Sequence, residues 1–194
     1  MRNEILKLVY DYLNVFSEEN KRQEKLIEFL NSHNDDEITD RNNFNGHITA
    51  SGIIYASKER MFLMLHHKTL DMFLFPGGHT EKIDENPLET AKREVREETG
   101  LENLEQLKIT YDNLVPIEID THVIEYNKKR NLPEHYHFDF RYLFILDEKV
   151  EIKIDEEEST GYKWIGIDDL YNDKNYGKIA FKLEEILKKD KIIL

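Results

Sequence analysis

Residues 77–101 read GGHTEKIDENPLETAKREVREETGL and carry the strongest structural signal of the chain. Asn86 is a preferred helix N-cap, and Pro87 suits the first helical position. Gly100 is placed as a left-handed C-cap. Between the caps, apolar residues recur at helical spacing along one stripe: Leu88, Ala91 and Val95. The sequence therefore predicts an amphipathic helix that begins after Asn86 and ends before Gly100.

Three carboxylates follow one another at helical spacing near the end of this helix: Glu94, Glu97 and Glu98. Their side chains converge, and like charges at this spacing repel by a few tenths of a kcal/mol per pair. Arg93 is expected to point largely to another side and to neutralise them only in part. Carboxylate oxygens suit hard cations such as Mg2+ or Mn2+, which often contact substrate phosphates as well. The alternative is a solvated acidic helix face.

The end of this segment, residues 93–101, reads Arg-Glu-Val-Arg-Glu-Glu-Thr-Gly-Leu. It resembles the signature of the Nudix (MutT-like) hydrolases, Arg-Glu-U-x-Glu-Glu-x-Gly-U with U a bulky aliphatic residue, and matches it at every specified position. In the first half of the signature, the interval from Gly78 to Arg93 is one residue longer than in the family pattern. The sequence therefore leaves open whether Asp84 or Glu85 plays the supporting acidic role.

The resemblance implies an α/β fold, a Nudix-type α/β/α sandwich with a mixed sheet. It also implies a metal-dependent hydrolase that cleaves a diphosphate linkage in a small nucleoside diphosphate derivative by metal-activated water. The resemblance implies that Glu97 and Glu98 ligate the metal, Mg2+ or Mn2+, and that the Gly78 carbonyl completes the site. Glu94 would either ligate the metal or polarise the attacking water. Arg93 would orient a loop carboxylate. Pro116 lies at a distance typical of ADP-ribose-type members. The alternative is a catalytically silent Nudix-fold module that binds a nucleotide and regulates another protein.

Composition limits the classes of partner. The chain has 194 residues, a formal net charge of −13 and no cysteine. The acidic balance disfavours a long nucleic acid as ligand, because such binding rests on many Lys and Arg contacts to phosphates. The lack of cysteine excludes disulfides, thiolate metal sites and cysteine nucleophiles. No stretch has the apolar length of a signal peptide or of a membrane span of about 20 residues. The sequence thus predicts a cytoplasmic protein with a small phosphorylated substrate and no membrane partner.

We expect the chain to divide into an N-terminal helical appendage with linker, residues 1–43, and, from the resemblance, a Nudix hydrolase domain, residues 44–194. Helical periodicity marks two short helices within residues 1–32. These helices could pack on the domain, form a homodimer surface or cap the substrate. Strand signals fall at 48–56, 61–66, 108–111, 117–126 and 136–146, and a closing helix is expected at 178–189.

The strand predicted at 136–146 carries polar side chains at alternate positions: His135, His137, Asp139 and Arg141. Because alternate residues of a strand share one face, these four form either a wall of the catalytic cleft or an exposed polar face. In a cleft, Arg141 would bind phosphate, and Asp139 would bind a metal or a ribose hydroxyl. Asp120 and His122 share one face of the preceding strand and could extend the wall.

A late acidic run gives two further candidates. Glu157 and Glu158 could approach the metals or act as a base, as a carboxylate from a late loop does in many relatives; the alternative is a solvated loop. Three histidines near the helix, His66, His67 and His79, receive no catalytic role, because a lone histidine is more often a surface or hydrogen-bonding residue.

Overall fold

The computed structural model of the chain describes residues 1–109, 115–128 and 131–189. Its helices are α1 (Arg2–Val15), α2 (Asn20–Ser32), α3 (Pro87–Thr99), α4 (Ile167–Tyr171) and α5 (Gly177–Lys189), with a 3-10 turn at Ser17–Glu19. Its strands are β1 (His47–Ala56), β2 (Met61–His67), β3 (Met72–Leu74), β4 (Gly77–His79), β5 (Glu105–Gln106), β6 (Glu118–Ile124), β7 (His135–Leu146) and β8 (Ser159–Gly166). No helix in these ranges is both long and apolar enough to cross a bilayer.

The strands form one mixed sheet with the order β3-β2-β1-β7-β5. Strand β4 also pairs with β1, β6 with β7, and β8 with β2. The central pair β1–β7 is parallel, and the other pairs are antiparallel. Strand β1 therefore lies between β7 on one side and both β2 and the short β4 on the other.

The two faces of the sheet bury different helices. One face of β1, with Ile48, Ala50 and Ile54, packs in a core that includes α3 and the N-terminal helices. The other face, with Ile53 and Tyr55, packs against α4 and α5. Helices thus cover both sides of the mixed sheet, and the α/β/α prediction is confirmed.

The N-terminal helices share this core with the sheet. Phe29 of α2 stacks on Phe138 of β7 with ring centroids 4.7 Å apart. The Gln23 side chain donates a hydrogen bond of 2.9 Å to the carbonyl of Ile119 in β6. These helices therefore pack on the domain, which was one of the predicted roles. The division at residue 43, the homodimer and the substrate cap stay predictions.

A buried polar cluster joins the two ends of the chain at the β6 edge of the sheet. The ammonium group of Lys182 in α5 donates to the Tyr12 hydroxyl of α1 at 2.7 Å. The same group lies 2.6 Å from the Glu19 carboxylate and also contacts Glu118 of β6. Since all four side chains are buried, each charge depends on the others for compensation.

Most predicted elements are present. Helices fall within residues 1–32 and near 178–189, and strands cover 48–56, 61–66 and 136–146 and most of 117–126. The strand predicted at 108–111 is wrong for Lys108 and Ile109, since β5 ends at Gln106; Thr110 and Tyr111 lie outside the described residues. Strands β3, β4, β5 and β8 were not predicted. The first three have only two or three residues, too few for a visible alternation.

Candidate active site

Helix α3 is fixed at both ends by the caps that the sequence predicts. The Asn86 side chain accepts hydrogen bonds from the backbone N–H groups of Leu88 and Glu89, at 3.0 and 3.2 Å. Gly100 closes the helix with φ of 70°, in the left-handed region. Because α3 packs directly on β1 and β4, these caps determine which side chains near its end face the sheet.

Two of the three glutamates are buried against the glycines of β4. Glu98 accepts a hydrogen bond of 2.7 Å from the backbone N–H of Gly77. At Gly78, a Cβ atom would stand 2.5 Å from an oxygen of Glu94. Only glycine therefore lets the Glu94 carboxylate approach the strand this closely. Glu97 differs from both, because half of its side chain (51%) is exposed.

Arg93 joins the helix to the preceding loop. Its Nε and Nη2 atoms donate to the two oxygens of Asp84 at 3.1 and 2.9 Å, and Nη2 also donates to the His79 carbonyl at 2.9 Å. Asp84 is buried and Glu85 is exposed. Burial would raise the pKa of Asp84, but hydrogen bonds from Arg93, the Glu81 backbone and a threonine lower it overall. Of the two candidates, Asp84 is thus the carboxylate that supports Arg93.

The same guanidinium also reaches the glutamates. Its Nη1 atom donates to Glu94 at 2.7 Å and to Glu97 at 3.1 Å. The prediction that Arg93 points largely to another side of the helix is therefore wrong. Its long side chain folds back along the surface, where a residue four positions later is a neighbour. Arg93 thus holds the loop carboxylate and two of the helix carboxylates in one network.

Burial and mutual repulsion govern the charges of the glutamates. Burial is the main cause that raises the pKa of Glu98 to about 8; the Gly77 hydrogen bond opposes the rise, and the charges of Glu94, Glu158 and Asp155 add to it. Burial also raises the pKa of Glu94, with Glu97 and Glu158 contributing and Arg93 opposing. Glu158, in the loop before β8, is therefore close enough to act on both helix carboxylates.

This donor set fits a hard divalent cation in its chemistry. All its donors are oxygens, and a cation would compensate two buried carboxylates that repel each other. Among the described residues, the three glutamates do not bring one oxygen each within 4.8 Å of the others. Joint ligation by all three would therefore require the Arg93 contacts to rearrange.

The polar face of β7 is partly a buried ion network. Arg141 donates to Asp139 at 2.8 Å and to Asp120 at 2.9 Å. Ser51 of β1 donates to both oxygens of Asp139, each at 3.0 Å. Asp139 and Arg141 are buried, so the alternative of an exposed polar face is wrong for these two. Their predicted contacts with metal, ribose or phosphate stay predictions.

His137 lies among other histidines on this face. The histidine cluster comprises His47 of β1, His79 of β4 and His137 of β7, whose ring nitrogens converge within 4.8 Å. His47 was not singled out from the sequence, and His79 was weighed only as a lone residue. The missing signal was strand register, which pairs His47 with His137 and places His79 beside Thr49.

A family model described as the NUDIX domain matches residues 46–186. The chain belongs to the Nudix hydrolase family. A probable DHNTP pyrophosphohydrolase from Lactococcus lactis subsp. cremoris (strain MG1363) is 33% identical over 135 residues, which span 70% of this chain and 75% of the relative. This Nudix relative is named as a pyrophosphohydrolase.

Solved structures agree with the Nudix fold. A NUDIX-family hydrolase from Clostridium perfringens is 25% identical, with a TM-score of 0.50 over 72% of this chain and 95% of its own. The E. coli dihydroneopterin triphosphate pyrophosphohydrolase is 18% identical, with a TM-score of 0.53 over 73% of this chain and 95% of its own. The second likeness supports the fold alone. The predicted family is confirmed.

Proposed function

We propose that the chain hydrolyses a diphosphate linkage in a small phosphorylated substrate with the help of Mg2+ or Mn2+. The observation that carries this proposal is the placement of Glu94 and Glu98, two buried carboxylates held against the glycine backbone of β4. Keeping both of these buried carboxylates ionised costs free energy unless a cation compensates their charge. A helix with only a structural role would not need two buried carboxylates, whereas metal-assisted hydrolysis does need them.

The residues of the chain take distinct roles in this proposal. Glu94, Glu97 and Glu98 hold the cation together with the carbonyl oxygen of Gly78. When bound, the cation neutralises diphosphate charge and lowers the pKa of a coordinated water. Arg93 is a positioning residue, because it fixes the glutamates relative to the loop. Glu158, which acts electrostatically on Glu94 and Glu98, adds a fourth acidic group from the loop before β8.

The substrate follows from charge and from relatives. A nucleoside diphosphate derivative is the first candidate, since it supplies the diphosphate link and enters as a metal complex despite the net charge of −13. Dihydroneopterin triphosphate is the second candidate. It is favoured by the Lactococcus relative, whose name is that of a DHNTP pyrophosphohydrolase and whose identity is 33%.

The test is hydrolysis of both candidates with and without Mg2+, measured separately as released phosphate and released pyrophosphate. We expect turnover that requires the ion. Glu97→Gln should lower kcat by about a thousandfold, because the variant loses a ligand charge where the substrate charge is neutralised. The matched control is Glu89→Gln on the same helix, where a half-exposed carboxylate pairs with Lys92 at 2.7 Å. We expect this control to keep wild-type kcat.

The opposite outcome is equally specific. If a broad panel with Mg2+ or Mn2+ gives no turnover while a nucleotide raises the melting temperature, the chain is a silent nucleotide-binding module. In that case neither phosphate nor pyrophosphate would be released. Equal activity of Glu97→Gln and Glu89→Gln would remove Glu97 from the proposed site.

A further inference from the structure

Three imidazole rings point at one another on the face of the sheet opposite α3. The Nε2 atom of His47 lies 3.0 Å from Nε2 of His137 and 3.0 Å from Nε2 of His79. His47 is buried and the other two rings are half-buried. The cluster is therefore closed to solvent at His47 and partly accessible to solvent at His79 and His137.

The sheet itself imposes this convergence. His47 and His137 are directly paired across the parallel β1–β7 ladder. His79 stands opposite Thr49, two residues after His47 on β1 and on the same face. Three separate strands thus deliver one ring each, so the geometry does not depend on a flexible loop.

The distances between the imidazole nitrogens are close to those between nitrogen ligands of one metal ion. Zinc binds imidazole nitrogen at about 2.0–2.1 Å, so two nitrogens of a tetrahedral site lie roughly 3.3 Å apart. The two nitrogen pairs at 3.0 Å are slightly closer than this, and the third pair lies within 4.8 Å. Widening the two close pairs by about 0.3 Å would bring them to the spacing of a tetrahedral site, and the third pair would adjust as His79 and His137 turn towards the ion.

Hydrogen bonding within the cluster is incomplete. A neutral imidazole has one in-plane lone pair, so Nε2 of His47 can accept well from only one of its two neighbours. If that atom carries the proton instead, it can donate to only one of them. The other ring nitrogen of His47 is buried and makes no well-formed hydrogen bond, although the backbone of Asn43 acts on the ring and opposes the lowering of its pKa. Either tautomer leaves a buried polar atom poorly satisfied.

The rings are held in the neutral form that binds metals. Burial and, to a smaller extent, the neighbouring histidines lower the pKa of His47 to about 4, of His79 to about 3 and of His137 to about 2. Metal affinity is greatest when no proton competes for the ligand nitrogen. Arg41 acts against a cation here, but it is mostly exposed and pairs with Glu81 at 3.4 Å.

We infer that His47, His79 and His137 form a binding site for a nitrogen-preferring divalent cation of the Zn2+ class, separate from the carboxylates of α3. Three imidazoles leave a fourth position for water or a ligand atom, as in catalytic zinc sites. This inference does not depend on the proposed hydrolase activity. Since His79 follows Gly78 in β4, the ion would also hold β4 against β1 and β7.

The experiment uses the full-length protein freed of metal, with Zn2+ titrated by calorimetry and Co2+ followed by its visible spectrum. We expect one tightly held equivalent, a four- or five-coordinate cobalt spectrum and a higher melting temperature with zinc. Loss of one outer-shell partner already weakens metal sites by ~10–100-fold, so His79→Gln and His137→Gln should each weaken binding by more than about a hundredfold.

Two controls separate this site from other binding. His66→Gln changes a half-buried histidine outside the cluster and should leave zinc affinity unchanged. Glu98→Gln removes a carboxylate of α3 and should also leave it unchanged. If zinc binding survives His79→Gln and His137→Gln, or disappears in Glu98→Gln alone, the inference is overturned.

A readout on the unaltered chain covers the case in which these variants fail to fold. Imidazole nitrogen resonances of the wild-type protein are recorded with and without one equivalent of Zn2+. We expect the Nε2 signals of the three rings to shift together while that of His66 stays in place. Unshifted signals from the cluster would overturn the inference as firmly as an absence of zinc binding.

Discussion

The acidic end of α3 and the histidine cluster lie on opposite faces of the same sheet, and they are built in opposite ways. All three glutamates come from one helix of 13 residues. The three histidines come from three strands, with His47 and His137 separated by 90 residues of sequence. A single local pattern produces the first group, whereas only the register of the folded sheet produces the second.

Strand β4 connects the two groups. Gly78 approaches the Glu94 carboxylate on one face, and His79 contacts His47 on the other. Adjacent residues of a strand face opposite sides of the sheet. The three residues of β4 therefore contact both the glutamates of α3 and the histidine cluster. Substitutions near β4 therefore test how independent the two faces are.

The largest effect on stability is expected at Arg93, which joins the loop carboxylate to the carboxylates of α3. Arg93→Met should lower the free energy of unfolding by about 3 kcal/mol, because Asp84 would be left buried and unpaired. Urea denaturation of the metal-free protein measures it. Arg96→Met, an exposed arginine on the same helix, is the control and should change stability little. Similar denaturation midpoints for the two variants would contradict the network described for Arg93.

A second test alters β4 on its acidic side alone. Gly78→Ala should lower kcat by about a hundredfold. The new methyl group would stand 2.5 Å from an oxygen of Glu94, so the carboxylate would have to move, and small misplacements are costly in catalysis. Stability should change little, since the atoms that must move are the end of a flexible side chain. Steady-state kinetics and thermal melting measure both quantities.

The comparison variant for this test is Gly161→Ala, where an added Cβ meets nothing within 4 Å. It introduces the same methyl group without displacing a carboxylate. We expect its kcat to equal that of the wild type. A loss of activity in both variants would point to a general effect of glycine replacement rather than to Glu94.

The smallest effect concerns Asp120, on the histidine side. Burial would raise its pKa, but His122, Arg141 and Arg22 lower it from 3.8 to about 2. A depressed pKa contributes stability that is present above pH 3.8 and lost as the pH falls through 2. At about 1.4 kcal/mol per pKa unit, this contribution is about 2 kcal/mol.

Acid denaturation curves of the wild type and Asp120→Asn measure this contribution. The stability difference between them should shrink as the pH falls from 5 to 2. Asp36→Asn, which removes one carboxylate of an exposed ion pair with Lys82, should follow the wild type throughout. A difference between wild type and Asp120→Asn that does not vary with pH would show that the carboxylate charge is not the cause.

Local signals explain how much of the molecule could be predicted. Asn86 and Gly100 cap α3 as expected, because capping depends on residues adjacent in sequence. The partner of Arg93 could be narrowed to two loop residues but not chosen, since the extra residue in the loop had no visible geometry. The structure selects Asp84.

Features that depend on strand register could not be predicted from the sequence. The alternation along β7 identified His137 and its neighbours as one face, but not which strands would lie beside them. The burial of Asp139 and Arg141 follows from partners on β1 and β6, far away in sequence. His47 gave no signal at all, because a single histidine at the start of an apolar strand has no pattern around it.

The contact between Tyr12 and Lys182 has a consequence for how the protein is made. These residues stand 170 positions apart, so the buried Tyr12 hydroxyl meets this partner only after a further 170 residues have been synthesised. At translation rates of about 5–20 residues per second, that delay is roughly 10–35 s. Until Lys182 has been synthesised, the Glu19 carboxylate also lacks that ammonium group as a partner.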